Sequence, residues 1–505
     1  MAKPKRILSA ALMTLFGRNW ITLFGGMLAA VSGMLIIAFV IIVALQLTNT
    51  PYIGIMGFLV MPMVFVSGLL LVPAGALWEI YAARRRAAAP PVSRSIIRAG
   101  AHEEPRDADL FPVVDFNNPH TRHVVLVVAV LTVINLMIVA ISAYEGVVYM
   151  DSVTFCGETC HTVMQPEYTA YKESPHFRVQ CIECHIGPGA PWFVKSKLSG
   201  LGQVLAVTFN TYPRPIPSPV ASLRPSRDTC EQCHWPQKFS GDRLKVLTRF
   251  RDDEKNTQTK NVLLMHIGGG ASGGKGIHSW HIDPDKRTVY TPVDEQRQKI
   301  AKVRVERSDG TVHEYSAPKD KYPSEAVAAA RIMDRDTGAK ERVMDCIDCH
   351  NRPTHVFKLP AGAVDDAMAA GRIDKGLPSI KKEAVEVLTN AKGENGDLER
   401  IEKEVRAFYQ EHYPDRAAAD QASIDAAIRE LQAIYNRNVF PEMKVTWGTH
   451  PNNLGHEQSP GCFRCHDDVL VDKDGKAVGQ DCDACHAVLA YDETDPEVLK
   501  KVGLE

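Results

Sequence analysis

The sequence lacks several features that would assign it to common functional classes. It has no basic excess, because 58 Lys and Arg residues are balanced by 60 Asp and Glu residues and the net charge is −2. A nucleic-acid partner is therefore not indicated. No histidine precedes His102, so the apolar segments near the N-terminus cannot hold a b-type haem between paired histidines. No cysteine stands apart from a short pair, which leaves none for a free thiol.

The 12 cysteines form six short pairs, and a histidine directly follows each pair. Cys-x-x-Cys-His is the attachment signature of c-type haem, in which both cysteines bind the porphyrin and the histidine binds the iron. The sequence therefore predicts six covalent haem c groups, attached outside the cytoplasm. The motif residues are Cys156, Cys160 and His161; Cys181, Cys184 and His185; Cys230, Cys233 and His234; Cys346, Cys349 and His350; Cys462, Cys465 and His466; and Cys482, Cys485 and His486.

Other uses of these cysteines explain the pattern less well. A zinc ribbon also contains Cys-x-x-Cys pairs, but it does not require a histidine after each one. Disulfides would not give uniform short spacings. The first motif is irregular, with three residues between Cys156 and Cys160. Positions i and i+4 still share a helix face, so attachment is expected there. A five-haem protein with a degenerate first site stays open as the alternative.

Three apolar runs predict three transmembrane helices. The first is too long for a signal-peptide core, so we expect an uncleaved anchor. Its small residues Gly25, Ala29 and Gly33 indicate either a close helix contact or merely the usual composition of membrane helices. Basic residues precede the first run and also occur in the 81–123 loop between the second and third runs. The positive-inside rule therefore places the N-terminus and this loop in the cytoplasm. Residue 150 then emerges in the periplasm, where haem is attached.

The predicted fold is a membrane-anchored multihaem c-type cytochrome: three transmembrane α-helices, then a mostly α-helical or irregular periplasmic haem region with a small β-rich insertion. The predicted segments are the cytoplasmic N-terminus (1–19), a transmembrane hairpin of two helices (20–80), the basic cytoplasmic loop (81–123), the third transmembrane helix (124–148), a tri-haem region (149–240), the β-rich insertion (241–320) and a C-terminal tri-haem and helical region (321–505). The expected strands are 243–250, 261–266, 287–292, 301–306 and 311–316.

Helices are expected through residues 360–440. Leu398, Ile401, Val405 and Phe408 form one apolar stripe. Ser423 is expected to cap the helix that follows.

Nine histidines after His161 lie outside the motifs, enough to give most irons a second histidine. Two histidines on one iron suit electron transfer better than substrate binding. We expect distal ligands among seven of them: His176, His266, His278, His281, His355, His450 and His456. His313 and His412 are not expected to bind iron.

The segment from Tyr149 to His234 resembles the NapC/NirT family of membrane-anchored quinol dehydrogenases, NrfH included. The residues that carry the resemblance are the first motif directly after a membrane helix, Met164, Ser-Pro-His176, Lys195-Ser-Lys197 and Cys230–His234. The longer layout resembles the ImcH-type inner-membrane quinol oxidases of metal-reducing bacteria, which usually have seven haems rather than six.

The resemblance implies that the first haem lies at the membrane surface beside a quinol pocket. It makes Met164 a candidate iron ligand and Lys195 or Lys197 a candidate quinol-binding residue. Met164 follows the motif histidine by three residues instead of the family's two. The family's acid after the lysine is missing, since no Asp or Glu occurs from 186 to 227. Glu145 and Asp151, at the exit of the third helix, are candidates to accept protons instead.

These features predict a quinol dehydrogenase of the bacterial inner membrane with a periplasmic haem domain. Menaquinol would be oxidised at the membrane surface, and electrons would pass through six haems to periplasmic cytochromes or a terminal reductase in anaerobic or extracellular respiration. One alternative is an electron relay fed by a protein partner. Another is a terminal reductase of a small substrate such as nitrite, but no motif has the variant proximal ligand typical of that class. The oligomeric state, a homo-oligomer included, stays open.

Overall fold

The computed structural model describes residues 20–44, 56–88, 116–159, 161–220, 224–235, 241–268, 276–283, 285–318, 320–322 and 341–504. The predicted cytoplasmic N-terminus (1–19) and most of the predicted basic loop (81–123) lie outside the described residues. The chain divides into two compact units, Met1–Thr159 and Cys160–Glu505. The first contains the membrane helices, and the second contains five complete haem motifs.

Three long helices make up the first unit: α1 (Trp20–Ala44), α2 (Met61–Ala88) and α3 (Pro119–Met150). Each contains a segment long and apolar enough to cross a membrane, so the three predicted spans are confirmed. A π-helical turn, Met56–Val60, precedes α2. Helix α3 begins earlier than predicted, because Pro119 suits a first helical turn and the Asn118 side chain accepts a hydrogen bond from the His120 amide at 2.9 Å. The loop between α2 and α3 is correspondingly shorter than predicted.

Helices α1 and α2 pack closely through small residues. A Cβ atom added at Gly25 would lie 2.7 Å from the Leu71 Cβ, and one added at Gly68 would lie 2.7 Å from the Ala29 amide nitrogen. A side chain at either glycine would therefore push the helices apart. Of the two readings of the Gly25, Ala29 and Gly33 spacing, the close helix contact is confirmed.

The second unit begins with four helices and little apolar core. They are α4 (His161–Lys172), α5 (Cys181–His185), α6 (Ala190–Thr208) and α7 (Ser226–Cys230). No residue of α5 or α6 is buried. Neither helix therefore contributes a buried side chain to an apolar core.

Two antiparallel sheets follow. Their elements are β1 (Asp242–Phe250), β2 (Gln258–His266), α8 (Ile277–His281), β3 (Lys286–Pro292), β4 (Ile300–Arg307), β5 (Val312–Ser316), β6 (Arg342–Val343) and, near the C-terminus, β7 (His486–Glu493). The strand orders are β1-β2-β7 and β5-β4-β3-β6. The five predicted strands are confirmed with slightly shifted ends. The β-structure is not confined to 241–320, however, because β6 and β7 come from later in the chain and complete the sheets.

The main apolar core lies in a helical region: α10 (Pro360–Ala369), α11 (Ile380–Asn390), α12 (Asp397–His412), α13 (Pro414–Ala419) and α14 (Gln421–Asn438). Before it comes the short α9 (Cys346–Cys349), and α15 (Glu497–Lys501) closes the chain. In the predicted stripe of α12, Ile401 and Val405 are fully buried, and Leu398 and Phe408 pack against them. Tyr409 is also fully buried and was not predicted.

The predicted cap at Ser423 is wrong. Helix α14 begins at Gln421, and Asp420 stands at its N-cap position without a side-chain capping bond. Ser423 lies inside the helix, and its hydroxyl donates to the Asp374 carboxylate at 3.2 Å. A serine in the first turn can bond to a neighbouring element instead of the helix backbone, and sequence alone does not show which partner is in reach.

Candidate functional site

The first motif begins on a π-helical turn, Phe155–Thr159, directly after α3. The Ser152 hydroxyl accepts a hydrogen bond from the Phe155 amide at 3.1 Å, and the Phe155 ring lies edge-on against Tyr149 with centroids 5.4 Å apart. A π-helical turn contains more residues than an α-helical turn. The first motif, which has three instead of two residues between its cysteines, therefore lies where the helical turn contains more residues. Cys160 and the side chain of His161 lie outside the described residues.

The other five motifs lie on short helical segments of the second unit. These are α5, the end of α7, α9 and two 3₁₀ turns, Gly461–Arg464 and Cys482–Ala484. In α9 a capping box fixes the turn: the Ile347 amide donates to Asp345 and the Asp345 amide donates to Asp348. One helical turn places the two cysteines of a pair on the same face, as attachment to one porphyrin requires.

Each of these five motif histidines faces one histidine from outside the motifs. Iron–imidazole bonds are about 2 Å long, like other metal–imidazole bonds, so two imidazoles on opposite sides of one iron have centroids roughly 6 Å apart. The observed centroid distances, 5.8 to 6.5 Å, fit that requirement. The pairs are His185 with His355 (6.3 Å), His234 with His176 (5.8 Å), His350 with His278 (6.5 Å), His466 with His281 (5.9 Å) and His486 with His456 (6.2 Å).

Backbone carbonyl groups orient several of these rings. The Nδ1 atom of His355 lies 2.9 Å from the Glu167 carbonyl oxygen, that of His281 lies 2.7 Å from the Ile277 carbonyl oxygen, and that of His466 lies 2.5 Å from the Gly479 carbonyl oxygen. An Nδ1–H group that donates to a carbonyl leaves the Nε2 lone pair available for a metal. The rings are therefore held in the tautomer that an iron ligand needs.

Burial favours the neutral form of four of these imidazoles. It lowers the pKa of His185 and of His281, and it lowers the pKa of His355 to about 4. Burial also lowers the pKa of His350. A histidine must be neutral to bind a metal, so the environment favours the binding form near pH 7.

Successive motifs of the second unit contact one another. Helix α7, which ends in the third motif, contacts both α5 and α9, which carry the second and fourth motifs. Arg464, within the fifth motif, donates to the Asp348 carbonyl oxygen of the fourth at 2.6 Å. The His456 ring, which faces His486, stacks on Phe463 of the fifth motif at 4.3 Å. The motifs from the second to the sixth thus form a continuous series.

Two of the predicted distal ligands, His266 and His450, lie beside groups other than a motif histidine. His266 Nδ1 lies 2.8 Å from an Asp242 carboxylate oxygen. His450 is buried, and its ring lies 5.5 Å from that of Phe357. Burial and then Arg352 lower the pKa of His450 to about 4. Within the described part of the chain, neither ring contacts a motif histidine.

The two histidines that are not expected to bind iron, His313 and His412, lie apart from the histidine pairs. His313 is exposed on strand β5. His412 is exposed at the end of α12, where its ring stacks on Phe408 at 4.9 Å.

The candidate quinol residues are divided between the two units. In the first, Glu145 is half-buried on α3 and Asp151 is the C-cap residue of that helix. In the second, Lys195 and Lys197 lie on α6, with Nζ atoms 4.5 Å and 4.8 Å from the centroids of two aromatic rings of the same helix, Trp192 and Phe193. The remaining candidate, Met164 on α4, is half-buried against the apolar cluster formed by Val163, Phe440, Met443 and Val445.

A cleft of about 500 Å³ lies between α2 and α3 in the first unit. Phe65 and Val66 line it from α2, and Val139 and Ser142 line it from α3. The Ser142 hydroxyl is buried and has no hydrogen-bond partner among the described residues. The cleft extends to Met150, the last residue of α3. Sequence reasoning missed it, because the apolar periodicity of a membrane helix does not show which faces leave a gap.

A buried carboxylate inside the fourth motif was also missed. Asp348 accepts hydrogen bonds from the Tyr290 hydroxyl at 2.6 Å and from Arg342 at 2.8 Å. The pKa of Tyr290 is raised well above its ordinary value by burial and then by Asp348. These partners come from the second sheet, so the only sequence signal was an acidic residue between two haem cysteines.

Comparisons with known proteins show the family of the chain. The model of the NapC/NirT cytochrome c family, N-terminal region, matches residues 118–215. Cytochrome c-type protein ImcH of Geobacter sulfurreducens is 41% identical over 474 residues, which cover 93% of this chain and 88% of ImcH. Cytochrome c-type protein TorC of Escherichia coli is 28% identical over 149 residues, 28% of this chain and 33% of TorC.

Cytochrome c-type protein NrfH of Wolinella succinogenes is 26% identical over 104 residues, 20% of this chain and 58% of NrfH. No solved structure matches the chain. The chain therefore belongs to the NapC/NirT cytochrome c family, as an ImcH-like, membrane-anchored multihaem cytochrome of the inner membrane with its haem domain in the periplasm.

Proposed function

We propose that this protein oxidises menaquinol at the periplasmic surface of the inner membrane and passes the electrons through six c-type haems to periplasmic acceptors, in anaerobic or extracellular respiration. Its family carries out quinol-linked electron transfer. The observation that supports the proposal most is the set of five histidine pairs with centroids 5.8 to 6.5 Å apart. Haem c, when bound, supplies one-electron chemistry.

The histidine pairs favour electron transfer over reduction of a bound substrate. A terminal reductase needs an iron with an open position. In the five later motifs, each motif histidine faces a second imidazole at a distance that would let both bind one iron. The neutral state and the carbonyl contacts of His281 and His355 suit permanent ligands. This is evidence against a nitrite-type reductase at these five sites.

The contacts between successive motifs support a single path for electrons. The path would run in chain order, from the second motif near α4 to the sixth beside β7. The series has no break in the second unit, since side chains or helices of each motif touch the next. The first motif is the proposed entry, because it directly follows the membrane helix α3 and a quinol is confined to the bilayer.

Quinol oxidation also needs a place for the quinol and groups that accept its protons. The cleft between α2 and α3 is apolar enough for an isoprenoid tail, and the Ser142 hydroxyl offers one polar contact inside it. Glu145 and Asp151 are the proton acceptors that we propose. Lys195 and Lys197 are proposed to orient the quinol head group, and Met164 to be a ligand of the first iron.

Reduction of the purified protein in lipid nanodiscs by a menaquinol analogue tests the proposal. We expect wild-type haems to be reduced, and Lys195→Ala, Lys197→Ala or Glu145→Gln to slow that reduction selectively. Dithionite, which needs no quinol site, should still reduce every haem in all variants. Lys382→Ala, an exposed lysine on α11, is the matched control and should behave as wild type.

Two results would count against the proposal in different ways. If menaquinol does not reduce the wild type while dithionite does, the chain is a relay fed by another protein. If the wild type is reduced but all three variants keep normal kinetics, the quinol site lies elsewhere in the molecule.

A further inference from the structure

The fourth and fifth motifs meet at one arginine. Arg464 stands directly before Cys465, the second cysteine of the fifth motif, and Asp348 stands directly before Cys349, the second cysteine of the fourth. The Arg464 Nη2 atom donates to the Asp348 carbonyl oxygen at 2.6 Å. The guanidinium group of the fifth motif therefore touches the backbone of the fourth, one residue away from a haem-binding cysteine.

The side chains of Asp348 and Arg464 project away from the porphyrins that the two motifs would hold. The two cysteines of a motif share one face of their helical turn. At about 100° per residue, Asp348 points roughly 130° away from that face. Arg464 lies on a 3₁₀ turn, where about 120° per residue directs it away in the same manner. A bound haem therefore does not take the place of the protein groups that contact these two side chains.

The charge of Asp348 is balanced within the fourth motif. Asp348 is 2% exposed, and its carboxylate accepts from Arg342 at 2.8 Å and from Arg297 at 3.4 Å. Arg342 also donates to the Asp345 carboxylate at 3.1 Å. Two carboxylates thus face two guanidinium groups, and their charges sum to zero.

The charge of Arg464 is not balanced in this way. Its three guanidinium nitrogens all donate to backbone carbonyl oxygens, those of Gly461 at 2.8 Å, Arg297 at 3.0 Å and Asp348 at 2.6 Å. In the part of the chain that the structure describes, no carboxylate forms an ion pair with it. Asp467 and Asp468 follow the motif but are exposed, so solvent screens their charges. One surplus positive charge therefore lies where the two motifs meet.

We propose that Arg464 raises the reduction potentials of the fourth and fifth haems together. A positive charge stabilises the reduced state of a nearby haem, which has one more electron, and the effect is stronger where water is excluded. The inference rests on the proposed function, since it needs haem at both motifs.

Raised potentials at two neighbouring haems suit the supply of electrons. Oxidation of one quinol releases two electrons and two protons, whereas each haem accepts one electron. Electrons move singly from haem to haem, and no bond forms or breaks in these steps. Both electrons from one quinol can then rest beside Arg464 until acceptors collect them, which leaves the entry haem oxidised for the next quinol.

A redox titration of the purified, haem-loaded protein with soluble mediators tests the inference without involving quinol. Arg464→Gln removes the surplus charge, and we expect two of the six components to move to lower potential. Arg464→Lys keeps the charge and should leave both components at their wild-type potentials. Asp348→Asn removes an anion from the balanced network, so one component, that of the fourth haem, should move to higher potential.

Arg227→Gln is the matched control. Arg227 lies on α7 beside the third motif and pairs with Glu231 at 3.9 Å, with both side chains 37% exposed. Solvent and Glu231 both screen its charge. Its removal should therefore shift the titration less than the removal of Arg464.

Opposite shifts in Arg464→Gln and Asp348→Asn support the inference, because a loss of structure would not change direction with the sign of the charge removed. Unchanged potentials in both variants would overturn it. A shift in Arg464→Lys as large as that in Arg464→Gln would also overturn it, since the contacts and not the charge would then matter. Should one variant fail to load all haems, the other decides. Intact mass is measured in parallel, and a wild type without haem at the fourth or fifth motif would contradict the proposed function instead.

Discussion

The rings of His281 and His466 face each other with centroids 5.9 Å apart and planes at 72°. His281 ends the short helix α8, where its Nδ1 contacts the Ile277 carbonyl oxygen at 2.7 Å. His466 follows the 3₁₀ turn Gly461–Arg464, and its Nδ1 contacts the Gly479 carbonyl oxygen at 2.5 Å. Both rings are thus oriented by their own local backbone, which directs Nε2 of each toward the space between them.

Removing the distal partner should change the spin state of one haem. In His281→Ala the fifth haem would lose its second imidazole but keep Cys462, Cys465 and His466. We expect a new high-spin signal from one haem in electron paramagnetic resonance and visible spectra, because a five-coordinate iron has a weaker ligand field. The haem count by intact mass should be unchanged.

His412→Ala is the matched control, since His412 lies at the end of α12 with its ring stacked on Phe408 and its Nδ1 3.2 Å from the Phe408 carbonyl oxygen. It should leave all haems low-spin. An unchanged spin-state spectrum in His281→Ala would remove His281 as a ligand. The same measurement on His450→Ala decides whether His450, which faces Phe357, binds an iron at all.

The haem count is a second prediction. We expect the intact mass of the purified protein to exceed the polypeptide mass by six haems. The π-helical turn at Phe155–Thr159 accommodates the longer spacing after Cys156, so the irregular first motif should also be loaded. A mass that fits five haems, together with alkylation of Cys156 and Cys160, would show that the first site is degenerate.

What the sequence predicted well depended on local chemistry. The attachment motifs are contiguous, so their presence was certain from the residues alone. The strands also followed from the alternation of apolar and polar residues within short segments. The turn between β4 and β5 follows from its own residues, since Arg307-Ser-Asp-Gly310 is typical of a hairpin turn, and the Gly310 amide donates to the Arg307 carbonyl oxygen at 3.0 Å. Gly310 has φ of 85°, a conformation that glycine adopts at little cost.

What the sequence did not predict depended on contacts between distant segments. Seven histidines were candidates, but nothing in the chain order shows that His278 faces His350 while His281 faces His466. His278 and His281 are only three positions apart in the sequence, yet they face different motifs. The pairing of β7 with β2 is likewise non-local.

The cleft between α2 and α3 gives a third prediction. In Ser142→Phe a large ring would occupy the cleft and remove its buried hydroxyl. We expect slower reduction by a menaquinol analogue with unchanged reduction by dithionite. Val133→Phe on the same helix is the control, because Val133 is 56% exposed and does not line the cleft. If both variants reduce at the wild-type rate, the cleft does not take part in quinol binding.

The helical region provides a stability prediction with a neighbouring control. Asp365 and Lys381 form a buried ion pair, with an Nζ–Oδ1 distance of 2.6 Å and both side chains 5% exposed. The Asp365 carboxylate also accepts the Phe250 amide at 3.1 Å, which joins β1 to α10. Asp365→Asn would leave the Lys381 charge buried without its anion. Breaking such a pair costs about 3 to 5 kcal/mol in unfolding free energy.

Asp366→Asn changes the next residue, which pairs with Lys358 at 2.7 Å while both side chains are 52% exposed. Solvent screens that pair, so its loss should cost about 0 to 1 kcal/mol. Native-state hydrogen exchange of the α10 and α11 amides measures both effects locally, without assuming that the whole protein unfolds in one step. Asp365→Asn should accelerate exchange throughout both helices and Asp366→Asn should not. Equal exchange in the two variants would mean that the Lys381 charge finds another partner, and that the ion pair does not hold α10 against α11.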